Sequence, residues 1–293
     1  VSWPELLTEP FTYDFFVRAM AAGLLVGALC GAISVFIVLR RMSYVGHGLA
    51  HSVLGGVAVG VALGYHEYLG AVVATLVSAL LIDRITRRRG LHADAAIGIV
   101  TTALFALGIA VVSRLDSPRV STEALLFGNP LAVTSTDLWL AVGVAGAFTA
   151  TLFAYYKPLV FVSFDPEVAR VHGVRAGLME LLFNVLTAAV VIVSVRVLGV
   201  LLVAAAVVIP AAFARLVTHS FGAMVAIATA VGVVSSVVGL YGSYHLDVAS
   251  GPMIVLTGAA LFAVAFTGTA LRTRSRLRRA RSHGDVARPA PTV

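Results

Sequence analysis

Nine stretches of this chain are almost wholly apolar, and short polar or charged segments separate them. They cover about residues 14–39, 47–64, 68–83, 94–113, 134–156, 179–195, 198–217, 221–243 and 251–271. A helix needs about 20 apolar residues to cross a hydrocarbon core of about 30 Å. Inside lipid the backbone must satisfy its own hydrogen bonds, which leaves helices or a closed barrel. The blocks lack the period-2 alternation of barrel strands, so they predict helices. The pattern reads as an all-α polytopic membrane protein with about nine transmembrane segments, eight being possible. Residues 1–13 precede the spans, 14–271 form one transmembrane domain without an internal repeat, and 272–293 form a basic tail predicted to be disordered or lipid-associated.

Composition excludes the soluble alternative. Of 293 residues, 59% are hydrophobic and 12% are charged, against about 25% charged in a soluble domain. The mean hydropathy is +0.98. The net charge of +7 sits in the loops and the tail, where it reads as membrane topology and not as nucleic-acid binding. With nine crossings, Arg40, Arg41, Arg84, Arg87–Arg89, Lys157, Arg170, Arg175, Arg215 and the run Arg272–Arg281 share one side. Arg18, Arg114, Arg119 and Arg196 take the other. The positive-inside rule makes the first side cytoplasmic, which places the C-terminus inside and the N-terminus outside. Val1–Tyr13 has no basic run before an apolar core, so no signal peptide is read, and the stretch can instead lie along the membrane surface. Cys30 is the sole cysteine and reads as packing.

Two helices carry small residues in register: Gly23, Gly27 and Gly31 in the first, Gly56, Gly60 and Gly64 in the second. Such ladders let backbones approach closely in lipid, and they predict that these two helices are neighbours.

Ionisable groups are costly within such segments, so each is a functional candidate. His47 and His51, in Gly46-His47-Gly48-Leu49-Ala50-His51-Ser52, stand four residues apart on one helix face. Neutral imidazoles suit zinc, copper, nickel and iron(II). Two ligands do not complete a structural zinc site, but a transport site stays open because the ion must leave. The alternative is two histidines at a helix start, bonded to water or carbonyls. Gly48 stands where a zincin places its glutamate, and neither a GxSxG elbow nor a phosphate-binding loop is present. An intramembrane hydrolase is thereby disfavoured, and any ATP hydrolysis falls to another subunit. A stand-alone secondary metal carrier stays open, although intramembrane acidic proton relays are not evident.

His66 and Glu67 follow the second segment, and His245 and Asp247 lie in Tyr244-His245-Leu246-Asp247-Val248. Either pair passes a cation to the mouth of a path or consists of hydrated loop residues. Arg196, between two apolar blocks, is predicted to snorkel to the outer interface. Pro210 is predicted to kink or break the seventh segment. Phe164-Asp165-Pro166-Glu167-Val168-Ala169-Arg170-Val171-His172-Gly173 reads as a short helix: Asp165 caps it, Pro166 suits its first turn and Gly173 ends it.

Several segments, in order, carry a likeness to a known family. They are Leu39-Arg40-Arg41-Met42-Ser43-Tyr44 before the histidine pair, Asp94-Ala95-Ala96-Ile97-Gly98-Ile99, Leu125-Leu126-Phe127-Gly128-Asn129-Pro130, the Phe164–Gly173 segment, Leu198-Gly199-Val200 running on to Ile209-Pro210-Ala211, and Leu246-Asp247 through Gly251-Pro252. Over roughly residues 14–270 the chain resembles the membrane permease of metal-ion ABC importers, which take up zinc, manganese or iron(II). The resemblance implies a homodimeric permease in a bacterial cytoplasmic membrane, two cytoplasmic ATPases and an extracytoplasmic metal-binding protein. It implies no cofactor, the divalent metal being the transported substrate. It also implies that Phe164, Asp165, Pro166, Glu167, Ala169 and Gly173 belong to the coupling helix, and that the second helix carries the metal site. There the family usually has an aspartate followed four residues later by a histidine; this chain has His47 and His51. Four imidazoles from two protomers make a softer, neutral set, so the expectation is zinc over manganese.

Overall fold

The computed structural model describes residues 8–40, 43–86, 93–114 and 122–284. Residues 1–7 and 285–293, Arg41 and Met42, Arg87–Arg89, Arg119, and the side chains of His47 and Asp94 lie outside that description. All nine apolar segments are helical, and the described residues contain no strand. A 3₁₀ turn (Glu9–Thr12) leads into α1 (Asp14–Leu39), followed by α2 (Ser43–Ala62), α3 (Glu67–Thr86) and α4 (Ala93–Val112). Next come the short α5 (Thr122–Phe127), a 3₁₀ turn (Pro130–Ala132), α6 (Ser135–Phe164), α7 (Pro166–Val171) and α8 (Ala176–Leu198). The chain closes with α9 (Val200–Ala206), α10 (Ile209–Val217), α11 (Phe221–Leu246) and α12 (Ser250–Gly284).

Seven described stretches are long and apolar enough to cross a membrane, with α9 and α10 together making one; Gly48–Ala62 and Glu67–Ile82 are shorter apolar helices. The chain is therefore a multi-pass helical membrane protein. α1 is its central helix: 72% of its apolar window is buried, against 11% for α6 and α12. Phe16, Val26, Ile33, Phe36 and Ile37 of α1 are all but inaccessible. The helices around it present Val73, Leu76 and Leu80 of α3, Trp139 and Phe153 of α6, and Leu256 and Val264 of α12 to the outside, the arrangement that lipid tolerates and water does not.

The glycine ladders are close-packing surfaces except at Gly64, which lies past the end of α2 with no heavy atom within 4 Å of a built Cβ, and they do not face one another. A Cβ on Gly27 would lie 2.5 Å from the Gly232 carbonyl oxygen of α11, and one on Gly31 would lie 2.8 Å from Thr229 Cα. The second ladder meets α3: Cβ atoms on Gly56 and Gly60 would lie 2.5 Å from Ala74 Cβ and 3.0 Å from Gly70 Cα. The expected pairing of α1 with α2 is thus corrected. Each ladder permits close approach, but which helix fills it depends on the small residues of the partner, Gly232 in one case and Gly70 in the other.

Two breaks follow from proline. Pro158 cannot donate to the carbonyl four residues earlier, and α6 departs from helical geometry at Tyr155 (φ −121°, ψ 20°) before continuing to Phe164. The fifth segment therefore runs past residue 156, and its last two turns form a separate arm. Pro210 breaks the seventh segment as predicted: α9 ends at Ala206, Val207 and Val208 leave the helix, and α10 restarts with the proline in its first turn.

Candidate functional site

α2 lies between α3 and α4. Gly48 admits the Thr101 and Ile97 side chains of α4, and Ser52 donates to Gly48 O at 3.0 Å and to Ser78 Oγ of α3 at 2.8 Å. This packing leaves His51 half-buried, with its ring stacked on Phe105 of α4 at 4.6 Å. His47 lies one helical turn earlier on the same element. Among the described residues no three of His, Cys, Asp or Glu converge within one protomer.

At the Asp14 end of α1, three glycines bring three segments into contact. Gly128 and Gly199 both adopt left-handed backbone (φ +77° and +78°). Asn129 N donates to Arg196 O at 3.1 Å, and a Cβ on Gly251 would lie 2.8 Å from Leu198 O. Above this junction opens a cavity of about 550 Å³, lined among others by Phe16, Glu123, Asn129, Tyr244 and Asp247. Asp247 is the left-handed cap of α11 (φ 51°) and is exposed. His245 is exposed too, and it packs on Tyr241 and Tyr244 at 4.9 and 5.3 Å instead of lining the cavity. The cavity therefore takes one member of the predicted outer pair.

Beside the junction sits a polar cluster that the sequence reading did not assemble. Arg196 pairs with Glu67, stands 3.7 Å from Asp137 Oδ1 and lies 5.7 Å from the Tyr68 ring. Tyr68 donates to Asp137, which is buried and closes a capping box with Thr134. Arg196 thus pairs with carboxylates that α3 and α6 bring within its reach, while its side chain stays partly exposed. Glu67 is correspondingly an ion-pair partner and not a freely hydrated turn residue. The available signal was Thr134-Ser135-Thr136-Asp137, a capping-box spacing at the start of an apolar run.

At the Leu39 end, α7 forms as the sequence predicts. Asp165 Oδ1 accepts from Glu167 N and Val168 N, both at 3.0 Å, with Pro166 in the first turn and Gly173 past the end at φ +80°. Ala169 is fully buried, whereas Phe164, Val168 and Val171 are exposed, Val171 at 85%. A short helix held by its caps and one alanine thus offers an apolar outer edge. Beneath it, Arg40 Nε donates to Ser163 Oγ at 2.9 Å, and the guanidinium lies 4.2 Å over the Phe183 ring. Burial lowers the Arg40 pKa, and the Glu180 carboxylate offsets part of that shift.

The polytopic helical bundle thus carries a histidine-bearing helix, a cavity at the Asp14 end of α1 and a capped helix at the opposite end. The profile of the ABC 3 transport family matches residues 12–269, and the chain belongs to that family, the permeases of metal-ion ABC importers. It is a permease subunit, distinct from the ATPase component of such a transporter. The chain is 36% identical over 255 residues to the manganese transport system membrane protein MntC of Halalkalibacterium halodurans, covering 87% of each chain. It is 34% identical over 289 residues to the chelated iron transport system membrane protein YfeC of Yersinia pestis, covering 97% of this chain and 98% of the relative. Its fold matches PsaBC from Streptococcus pneumoniae, solved in complex with Fab, with a TM-score of 0.84 at 33% identity over 90% of this chain and 95% of that one.

Proposed function

We propose that this chain forms, as a homodimer, the translocation path of an ATP-driven importer of manganese or iron(II) in a bacterial cytoplasmic membrane. The observation that carries the reading is likeness over nearly the whole chain to relatives named for manganese and chelated-iron transport. In this reading His47 and His51 of each protomer face the path and hold the ion in transit. Asp247, with His245 beside it, stands at the outer mouth, where an extracytoplasmic metal-binding protein delivers the ion. The segment Phe164, Asp165, Pro166, Glu167, Ala169 and Gly173 docks into one of two cytoplasmic ATPases. Its exposed Phe164, Val168 and Val171 suit an apolar groove. Nine crossings, with α2 and α3 spanning in full, put the arginine-rich ends and the C-terminus in the cytoplasm.

A second cargo rests on one observation. Residue 47 is a histidine, where the family resemblance implies a carboxylate, and a neutral imidazole set is softer than a carboxylate–imidazole pair, which favours zinc. Cellular manganese, iron and zinc, measured under metal limitation in a strain lacking the gene and in strains complemented with wild type, His47→Ala or His51→Ala, separate these cargoes. Loss of manganese or iron that only wild type restores supports the primary reading, and loss of zinc alone supports the second. Full restoration by both variants removes the histidines from the path.

A further inference from the structure

We propose that the break between α9 and α10 is a binding site for one water, which joins the Ser235 hydroxyl to the Ala206 carbonyl that Pro210 leaves without its helical donor. The inference goes beyond the importer reading and does not depend on it.

Pro210 has no N–H to give the carbonyl of Ala206, four residues earlier. α9 ends at Ala206, and the next turn bonds one residue short of it, Val208 N donating to Ala205 O at 3.1 Å. At membrane depth a carbonyl released in this way is satisfied by a side chain or by ordered water. A cavity of about 20 Å³ lies against the break, lined among others by Cys30, Ala206, Pro210, Ser235, Ser236 and Gly258. That space suits a single water and is too small for a larger ligand.

Ser235 of α11 is only 6% exposed, and its Oγ has no hydrogen-bond partner among the described residues. Other buried hydroxyls of this protein satisfy themselves locally. Ser52, Thr75, Thr101, Ser163 and Ser194 each donate to the carbonyl four residues earlier. Ser235 makes no such bond, and its oxygen instead lies in the gap that Gly258 of α12 leaves open beside the start of α10. A Cβ built on Gly258 would stand 3.2 Å from Ser235 Oγ and 3.4 Å from Ile209 Cγ2. Cys30 Sγ is already paired with Ser194 Oγ at 3.3 Å and does not compete. Ser236 offers a second hydroxyl oxygen on the same wall. Two hydroxyls and one released carbonyl match the roughly three bonds that a buried water makes. Left dry, the same cavity would desolvate the hydroxyl and the carbonyl with nothing in return.

The test uses the full-length permease in lipid nanodiscs, with water itself as the probe. One measurement is a map of the wild type, carried by a bound antibody fragment, that resolves ordered water. The expected result is a peak about 3 Å from both Ser235 Oγ and Ala206 O. The other measurement is the thermal midpoint of Ser235→Ala. Alanine is the better helix former, so in a dry cavity the loss of an unpaired hydroxyl leaves the midpoint unchanged or raises it. A bridging water that loses its anchor lowers the midpoint, by about 2 °C or more in a chain of this size. The peak together with the lower midpoint supports the proposal. A map with ordered water elsewhere and none at this position overturns it, and so does an unchanged or raised midpoint. If the variant yields no folded protein, the wild-type map decides. Neither measurement reads metal uptake, so failure here leaves the importer reading intact.

Discussion

Gly128 and Gly199 lie back to back: a Cβ on Gly128 would stand 2.6 Å from the Gly199 nitrogen, and one on Gly199 would overlap the Gly128 nitrogen. Both residues are also left-handed. Two loops distant in sequence therefore close on each other at the floor of the cavity, and a side chain at either position is opposed both by backbone conformation and by space. Gly199→Ala is expected to cost about 3 kcal/mol or more, as strain and overpacking combine. Gly64 has nearly the same conformation (φ +77°) but open surroundings, so Gly64→Ala should cost only about 1–2 kcal/mol. Thermal unfolding midpoints of the purified permease in detergent compare the two; equal shifts would refute the junction.

Arg196 supplies the positive charge for Glu67 and for the buried Asp137. Arg196→Ala leaves that carboxylate without its cation and is expected to destabilise the fold by about 1–3 kcal/mol, less than for a fully buried pair because Arg196 is partly exposed. Adding Asp137→Asn should recover part of the loss, since the amide carries no charge, its carbonyl oxygen keeps the two Thr134 bonds and its NH2 donates to the Tyr68 hydroxyl in place of the lost acceptor. Unfolding midpoints of the single and double variants measure the recovery, and strict additivity would show that the two residues act independently.

The α1–α11 contact depends on missing side chains. Gly27→Ala, which drives a methyl into the Gly232 carbonyl, is expected to cost about 1–3 kcal/mol. Gly146 of α6 has no heavy atom within 4 Å of a built Cβ, so Gly146→Ala should be neutral or stabilising by up to about 1 kcal/mol through helix propensity. Folded yield and melting temperature are the readouts.

His47→Asp restores a carboxylate–imidazole pair on α2. Competition between manganese and zinc in uptake assays is expected to shift toward manganese, because the added anionic oxygen suits the harder ion. An unchanged preference would mean that residue 47 does not ligate the metal.

Asp165→Ala removes the acceptor for two backbone N–H groups at the start of α7, a loss of about 1 kcal/mol confined to that helix. The permease should still fold, while metal import per ATP falls. Asp165→Asn, which still accepts, should retain most of the ratio. Normal coupling in Asp165→Ala would separate α7 from the ATPase contact.

Local signals were legible before any coordinates. Asp165, Pro166 and Gly173 each act on the residues beside them in sequence, so a cap, a first turn and a helix end could be read together. The break at Pro210 was legible for the same reason. Pro158 carries the same signal, but it lies just past Lys157, outside the apolar segment 134–156, so the apolar pattern alone does not place it in the helix. The glycine ladders announced close packing but not the partner, since Gly232 and Gly70 fill them from distant parts of the chain. Arg196 showed the same limit: its carboxylates come from α3 and α6, and no spacing rule connects them.

What the sequence determined by itself was the solvent, the helical class, the break at Pro210 and the family. Each of these follows from composition, from local covalent constraint or from motifs in order along the chain. The tertiary structure alone decided which helix each ladder meets, that Gly128, Gly199 and Gly251 form one junction, that Arg196 holds Glu67 and Asp137, and that Arg40 reaches Ser163. Those relationships depend on the orientation of whole helices about their axes. In lipid that orientation is set by side-chain complementarity across distant segments, because uniformly apolar helices carry no amphipathic stripe to announce it.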